Sequence, residues 1–377
     1  MTYVHRNHMT LLHGGQLEQI AQQYNIPLDH WLDVSTGIAP ISYPIPALPV
    51  NIWQRLPQKS PELIAAAKQY YQCSQLIITN GSQAIIKALP TLYRQKNVLG
   101  NDVYLPERGY KEHAHAWQLA GYTVHFYQTL LPEMNDLLPN SVLVIINPNN
   151  PTGQFFNKRV IDKYQQQLKR LNGLLVLDEA FIDVMPDNES YCSNIARGID
   201  DKNTTQNFTQ IGNSHCLVLR SFGKFFGLAG IRIGFLVADS FWCQAFESVL
   251  GPWQVNGPAQ VIAEHALKDT QWQQTQKETL HQLKVAQALM FAQVFPNTVL
   301  QSSHGCDLFI TLHFHHQETA KKLYHLLCQQ GVYCRLSDEQ DTLRFGITTQ
   351  ALLPRLAAAC EQACKLLLTP IKSVTTL

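Results

Sequence analysis

The apolar positions of this chain form short, nearly uninterrupted runs, and the segments between several of them have the spacing of amphipathic helices. Each run contains mostly Leu, Ile and Val and ends at a turn-forming residue, which is typical of strands buried on both faces of a sheet. Predicted strands are Leu76–Thr79, Asp102–Leu105, Val142–Ile146, Leu174–Leu177 and Cys216–Leu219, and predicted helices run from Pro61 to about Tyr71, from near Ala84 and from Tyr110. The pattern favours an α/β fold with a mainly parallel sheet.

The pattern changes near residues 251–256, after a further predicted strand at 233–238. A long helical stretch follows from Pro258 towards Phe295, and the last part of the chain alternates short strands with helices. Its predicted elements are strands Leu308–Leu312, Val332–Cys334 and Leu343–Ile347, a helix at Glu318–Gln329 and a C-terminal helix.

Three units are therefore expected along the chain. Residues 1–45 contain one amphipathic stretch and several prolines, so we expect an N-terminal arm that packs with the small domain. Residues 46–255 form the large domain and residues 256–377 a smaller α+β domain. A length of 377 residues is compatible with two packed units.

Composition and charge exclude several classes of function. The net charge of +1 provides no field that would recruit nucleic acid or an anionic membrane, so a phosphorylated substrate would depend on local cations. Nine cysteines show neither paired spacing nor metal-ligand spacing, which predicts reduced thiols and no metal site. Neither an apolar signal core nor a membrane-length apolar run is present, so we expect a cytoplasmic protein. The polar segment 188–213 is expected to be a surface excursion without chemistry.

The strongest candidate for chemistry is Lys224, which follows the apolar run 216–219 in a segment rich in glycine. We expect a glycine-rich turn there. A lysine amine is a nucleophile when burial or neighbouring cations lower its pKa, and it can then bind the aldehyde of pyridoxal phosphate. Ser221 and Arg232 could supply a hydroxyl and a guanidinium to one phosphate.

Two further features suit the same cofactor. The turn Gly81-Ser82-Gln83 opens a helix and could hold a phosphate, although an ordinary helix cap is the alternative. Asp178 ends a fully apolar strand, where a carboxylate is costly unless paired, and a protonated pyridine nitrogen would be its partner.

Four motifs, in this order along the chain, resemble those of the class I/II aminotransferases, which are fold-type I pyridoxal-phosphate enzymes. The motifs are Asn147-Pro148-Asn149-Asn150-Pro151-Thr152-Gly153, Asp178-Glu179-Ala180-Phe181, Ser221-x-x-Lys224 with Gly230-x-Arg232-x-Gly234, and Arg344-Phe345-Gly346. Within that family the chain is similar to the threonine-phosphate decarboxylases of cobalamin biosynthesis. This narrower resemblance rests on His13-Gly14-Gly15, the segment 32–40 with Ser35-Thr36-Gly37, Leu56-Pro57, the segment 110–117, and Phe181 in place of a tyrosine.

The resemblance implies roles for individual residues. Lys224 would hold the cofactor, Asn150 would contact the cofactor's phenolic oxygen and the substrate carboxylate, and Arg344 would bind that carboxylate. Tyr110 would stack on the cofactor ring, with a core aromatic as the alternative. His13, the turn Ser35-Thr36-Gly37 and Arg335 would surround the substrate. The alternative is a solvated loop histidine for His13 and a solvated surface arginine for Arg335 and Arg344.

The implied reaction is decarboxylation of L-threonine O-3-phosphate to (R)-1-amino-2-propanol O-2-phosphate in a homodimer. A tyrosine that relatives carry near residues 56–61 and use across the dimer is missing here. One alternative is an aminotransferase, with histidinol phosphate as its substrate, because the motifs serve both reactions. A more remote alternative is a non-catalytic module that binds pyridoxal phosphate.

Overall fold

A computed structural model describes residues 14–96, 99–186, 189–197 and 215–369. Of the polar segment 188–213, therefore, only residues 189–197 are described. The α-helices in this part of the chain are α1 (Leu17–Tyr24), α2 (Pro61–Tyr71), α3 (Ser82–Lys96), α4 (Lys111–Leu119), α5 (Lys158–Arg170), α6 (Cys192–Arg197), α7 (Phe222–Phe225), α8 (Ser240–Leu250), α9 (Gly257–Lys268), α10 (Thr270–Val294), α11 (Gln317–Cys328) and α12 (Leu353–Leu368). The strands are β1 (Leu32–Asp33), β2 (Leu76–Thr79), β3 (Asp102–Pro106), β4 (Thr123–Tyr127), β5 (Val142–Ile146), β6 (Leu174–Asp178), β7 (Cys216–Ser221), β8 (Gly234–Val237), β9 (Leu300–Cys306), β10 (Phe309–Phe314), β11 (Val332–Tyr333), β12 (Arg335–Leu336) and β13 (Thr342–Gly346).

Seven strands form the large sheet, in the order β2-β8-β7-β6-β5-β3-β4. The pairs from β7 through β4 are parallel, whereas β8 runs antiparallel to both of its neighbours. Every residue of β5 and β6 is buried. Alternate residues of β5 join two different hydrophobic clusters, one on each face of the sheet, because side chains alternate along a strand. This arrangement confirms the predicted α/β fold with a mainly parallel sheet.

A second, antiparallel sheet has the order β12-β13-β10-β9. Its inner face shares one hydrophobic cluster with residues of α10, α11 and α12. The apolar runs did not reveal β9, because most of its residues are polar and only Cys306 is buried. The predicted long helical stretch is also wrong in one respect: it is divided between α9 and α10 at Asp269, whose carboxylate accepts a hydrogen bond from the backbone N–H of Trp272 at 3.0 Å.

The segment before the large sheet crosses the molecule from one sheet to the other. Strand β1 pairs in parallel with β11, and the N–H of Gly346 donates to the carbonyl of Val34 at 2.7 Å. A few residues later the N–H of Ala39 donates to the carbonyl of Lys224 at 2.9 Å. The segment around residues 32–39 therefore contacts both the small sheet and helix α7, which contains Lys224. The boundaries of the three expected units remain a prediction.

No helix in the described residues is both long and apolar enough to cross a bilayer. Nor do those residues contain a group of three or more His, Cys, Asp or Glu side chains placed to hold a metal ion.

Candidate active site

The carboxyl ends of β5, β6 and β7 meet at one edge of the large sheet, where parallel α/β sheets commonly hold ligands. Asp178 ends β6, and Ser221 ends β7 three residues before Lys224. The expected glycine-rich turn is instead a single helical turn, α7. A Cβ on Gly223 would lie 2.6 Å from the Cα of Ala229, so this glycine allows close packing rather than a bend.

Two adjoining cavities open at this edge, an inner cavity and an outer cavity. The three residues Tyr110, Asn150 and Lys224 line both. All nine residues predicted to bind the cofactor line the inner cavity: Gly81, Ser82, Gln83, Tyr110, Asn150, Asp178, Ser221, Lys224 and Arg232. The fold thus brings together residues that lie as far as 150 positions apart in the chain.

Most of the residues predicted to bind substrate line the outer cavity, namely Thr36, Gly37, Asn150, Arg335 and Arg344. Ser35 does not line it. Its side chain is buried and accepts a hydrogen bond from the N–H of Gly15 at 2.8 Å, so it links the turn to the preceding segment and does not face the cavity. His13 lies outside the described residues.

The amine of Lys224 is a weaker base than an ordinary lysine amine. Desolvation, together with the nearby cations Arg344 and Arg232 and against the opposing charge of Asp178, lowers the pKa of Lys224 to about 8. The side-chain nitrogen lies 5.6 Å from the ring centroid of Phe181. A substantial fraction of this amine is neutral near pH 8, as a nucleophile requires.

The carboxylate of Asp178 is buried and held by two partners. Its Oδ2 lies 2.9 Å from Nε2 of His113, which is also buried, and its Oδ1 accepts from the N–H of Ala180 at 3.1 Å. Sequence reasoning gave His113 no role. The available signal was its position three residues after Tyr110, the residue that precedes α4; the ring centroids of the two residues lie 6.3 Å apart.

The other end of the inner cavity combines a cation with a helix N-terminus. Gly81 has a φ of +73°, and a Cβ there would lie 3.0 Å from Nη2 of Arg232. Ser82 begins α3, so the guanidinium of Arg232 lies beside the unpaired N–H groups of a 15-residue helix. This end of the cavity suits a phosphate.

Tyr110 is fixed by a chain of polar contacts. Its hydroxyl donates to Oε1 of Gln83 at 3.0 Å, and Nε2 of Gln83 donates to a carboxylate oxygen of Glu112 at 2.5 Å. These contacts hold the aromatic ring at the boundary between the two cavities.

Arg344 is a buried guanidinium at the wall of the outer cavity. It donates to Oδ1 of Asn150 and, at 2.6 Å, to the carbonyl of Ser35. Its Nε has no hydrogen-bond partner within the described residues. Burial, followed by the charge of Arg335, lowers the pKa of Arg344 to about 10. A buried cation with an unsatisfied donor favours an anionic ligand.

The inner cavity fits pyridoxal phosphate. The amine of Lys224, with its lowered pKa, could bind the aldehyde, and the buried carboxylate of Asp178 could pair with the ring nitrogen. Arg232 and the N-terminus of α3 could bind the phosphate. When bound, this cofactor supplies a cationic ring that accepts electrons released at the substrate Cα.

Comparisons with known proteins agree with this geometry. Residues 54–360 match the family described as aminotransferase class I and II. A threonine-phosphate decarboxylase of Pseudomonas aeruginosa is 37% identical over 353 residues, which are 93% of this chain and 97% of that protein. A histidinol-phosphate aminotransferase of Moorella thermoacetica is 32% identical over 211 residues, 54% of this chain and 50% of that protein. The structure of histidinol-phosphate aminotransferase from Sinorhizobium meliloti in complex with pyridoxal 5'-phosphate aligns with a TM-score of 0.72 at 18% identity, covering 97% of this chain and 99% of that chain.

These matches confirm the family resemblance and the cofactor that the motifs of the chain implied. The chain is a pyridoxal-phosphate-dependent enzyme and belongs to the class I and II aminotransferase family.

Proposed function

We propose that the enzyme removes CO₂ from L-threonine O-3-phosphate and leaves (R)-1-amino-2-propanol O-2-phosphate, a step of cobalamin biosynthesis. The observation that carries this proposal is the outer cavity, where Lys224 and the unsatisfied Arg344 adjoin the further cation Arg335. Such a cavity suits an amino acid with a second anionic group. The 37% identity to a threonine-phosphate decarboxylase over most of both chains supports the same substrate.

Each polar group of the site then has a distinct task. Arg344 and Asn150 would bind the substrate carboxylate and so fix the orientation of the bonds to Cα. Asp178 would hold the ring nitrogen of the cofactor in its protonated form, and His113 holds the Asp178 carboxylate in place. Lys224 would hold the cofactor and would supply the proton that Cα takes up in place of CO₂, a role typically worth about 10²–10⁴-fold in rate.

Further residues would contact the phosphate and ring of the cofactor, and others the substrate. Gly81, Ser82, Gln83, Ser221 and Arg232 would surround the cofactor phosphate, and Tyr110 would stack on its ring. Thr36, Gly37 and Arg335 would contact the substrate. His13 would reach the substrate phosphate, and its neighbour Gly14 lines the outer cavity.

The test is to mix cofactor-loaded enzyme with O-phospho-L-threonine and to record both CO₂ and the form of the cofactor. We expect stoichiometric CO₂ with the pyridoxal form retained. Conversion to pyridoxamine without CO₂, reversed by a 2-oxo acid, would instead show an aminotransferase, and histidinol phosphate would be the next substrate tried.

We also propose a homodimer. Several large apolar side chains are exposed in the segment before α2, at the end of α8 and just after it: Val50, Trp53, Leu56, Val249 and Trp253. The ion pair between Lys59 and Glu247, with a nitrogen–oxygen distance of 2.5 Å, joins this segment to α8. A second copy of the chain would cover this surface, since exposed apolar clusters commonly mark interfaces.

For the cellular location we propose a reducing cytoplasm, because all nine cysteines are buried free thiols.

A further inference from the structure

The connection between β12 and β13 carries three carboxylates, of which Asp338 and Glu339 line the outer cavity and Asp341 lies close to them in the chain. We call this connection, residues 337–341, the acidic turn. Each carboxylate meets a different cation: Asp341 pairs with Arg108 at 2.5 Å, Glu339 with Lys111 at 3.0 Å and Asp338 with Arg335 at 2.7 Å. The three cations line the outer cavity together with Lys224 and Arg344.

Two of these ion pairs join different parts of the fold across the cavity mouth. Arg108 and Lys111 lie between β3 and the start of α4, beside the large sheet, whereas the acidic turn belongs to the small sheet. Their side chains are only partly buried, with exposures of 39% for Arg108 and 22% for Asp341. Partly solvated pairs contribute little net stability, so a stronger anion can replace the carboxylate.

A phosphate monoester is such an anion. It carries almost two charges near neutral pH and three strong acceptor oxygens, and a guanidinium can bind it with two parallel hydrogen bonds. Arg108 already shows this fork geometry towards Asp341, with Nη1–Oδ1 and Nη2–Oδ2 distances of 3.3 and 2.5 Å. The carboxylate therefore occupies the kind of position that a phosphate would take.

The surroundings allow the acidic turn to withdraw. Arg108 and Glu339 also line a neighbouring cavity of about 810 Å³, whose lining includes His304 and His313. Asp341 has a second partner within the turn, because the hydroxyl of Ser337 donates to its Oδ1 at 3.0 Å. After release, that carboxylate would keep one hydrogen bond.

We propose that the acidic turn is an internal anion that the substrate phosphate replaces on Arg108 and Lys111. This inference rests on the proposed function for the identity of the substrate and adds a basis for its specificity. An amino acid without a phosphate cannot displace the carboxylates, so the enzyme favours phosphorylated amino acids over their unmodified counterparts.

The experiment measures binding of inorganic phosphate to cofactor-loaded enzyme by calorimetry. The doubly neutralised variant Glu339→Gln/Asp341→Asn frees both cations, and we expect it to bind phosphate about tenfold more tightly. The variant Arg108→Gln/Lys111→Gln should bind phosphate at least about tenfold more weakly. The control Lys59→Gln breaks an ion pair whose residues do not line the outer cavity, and it should leave phosphate affinity unchanged.

Unchanged phosphate affinity in either double variant would overturn the proposal and leave the acidic turn as a structural tie. Thermal unfolding checks that each variant is folded. If a double variant does not fold, Asp341→Asn and Arg108→Gln alone provide the same comparison, with an expected change of about threefold. Because the assay needs no turnover, its outcome stays separate from that of the decarboxylation test.

Discussion

Lys224 owes its lowered pKa to its surroundings, and this gives the enzyme a distinctive response to pH. In cofactor-free protein the amine reacts with pyridoxal phosphate only when it is neutral. The rate of cofactor attachment should therefore rise with pH and reach half its maximum near pH 8, rather than near the ordinary lysine value of 10.5. Stopped-flow absorbance between pH 6.5 and 10.5 measures this rate.

The variant Arg344→Gln provides the matched comparison, because Arg344 is the neighbouring charge that lowers the Lys224 pKa most. Its half-maximal pH should move upwards by up to about one unit. An unchanged midpoint would show that the charge of Arg344 does not contribute to the lowered pKa of this amine.

His113 is a positioning residue because it acts through Asp178. Replacing it with phenylalanine leaves a buried carboxylate without its imidazole partner, which raises the free-energy cost of keeping that carboxylate charged. We expect kcat to fall about tenfold to a hundredfold, with a smaller change in KM.

The control for this prediction is His113→Gln, which can still donate a hydrogen bond to Asp178. It should restore part of kcat. A purely structural role would leave the pH dependence of the bound cofactor's absorbance unchanged in His113→Phe, whereas a role through Asp178 should shift it.

At the level of elements, two opposing effects decide how the substitution Gly223→Ala in α7 changes the stability of the protein: helix propensity and close packing. Alanine there would favour the helix by about 1 kcal/mol, but its Cβ would lie 2.6 Å from the Cα of Ala229. A backbone clash cannot relax by side-chain rotation, so we expect Gly223→Ala to destabilise the protein by about 1–3 kcal/mol and to weaken cofactor retention.

Gly230→Ala is the matched control for α7. A Cβ at Gly230 meets no atom of the described residues within 4 Å. Its thermal midpoint should match that of the parent protein. Equal midpoints for both variants would contradict the packing argument.

The elements also show what the sequence could predict. Strand β5 was predicted with its observed bounds, because a strand buried on both faces leaves a continuous apolar run. Strand β9 was missed, because its pattern is polar and its partners come from the fold. The split at Asp269 was missed because the residues on both sides of it continue a helical pattern.

The residues of the site likewise include some that the sequence could identify and some that it could not. Motif residues such as Asp178 and Lys224 could be named because their chemistry is tied to the ends of apolar strands. The ion pairs of Arg108 and Lys111 could not, since each joins residues more than 200 positions apart. Such pairings depend on how two sheets meet, which spacing along the chain does not encode.

For the whole molecule, the exposed apolar surface around Trp53 and Trp253 predicts self-association. The substitutions Trp53→Glu and Trp253→Glu together should convert a dimer into a monomer, because a buried charge at an interface is costly. Light scattering after gel filtration measures the molar mass. Leu352→Glu, at another exposed apolar residue, is the control and should leave the mass unchanged. A dimer that survives the tryptophan substitutions would move the interface elsewhere.

The pairing of β1 with β11 constrains the order in which the protein can be completed. The two strands lie 300 residues apart, and Arg344 holds the carbonyl of Ser35 across an even longer stretch of chain. During synthesis the early segment emerges long before its partners, so its native contacts must wait for the last part of the chain. Contacts of such high sequence separation form slowly. The wall of the outer cavity is therefore expected to be among the last parts of the enzyme to form, after the large sheet has folded.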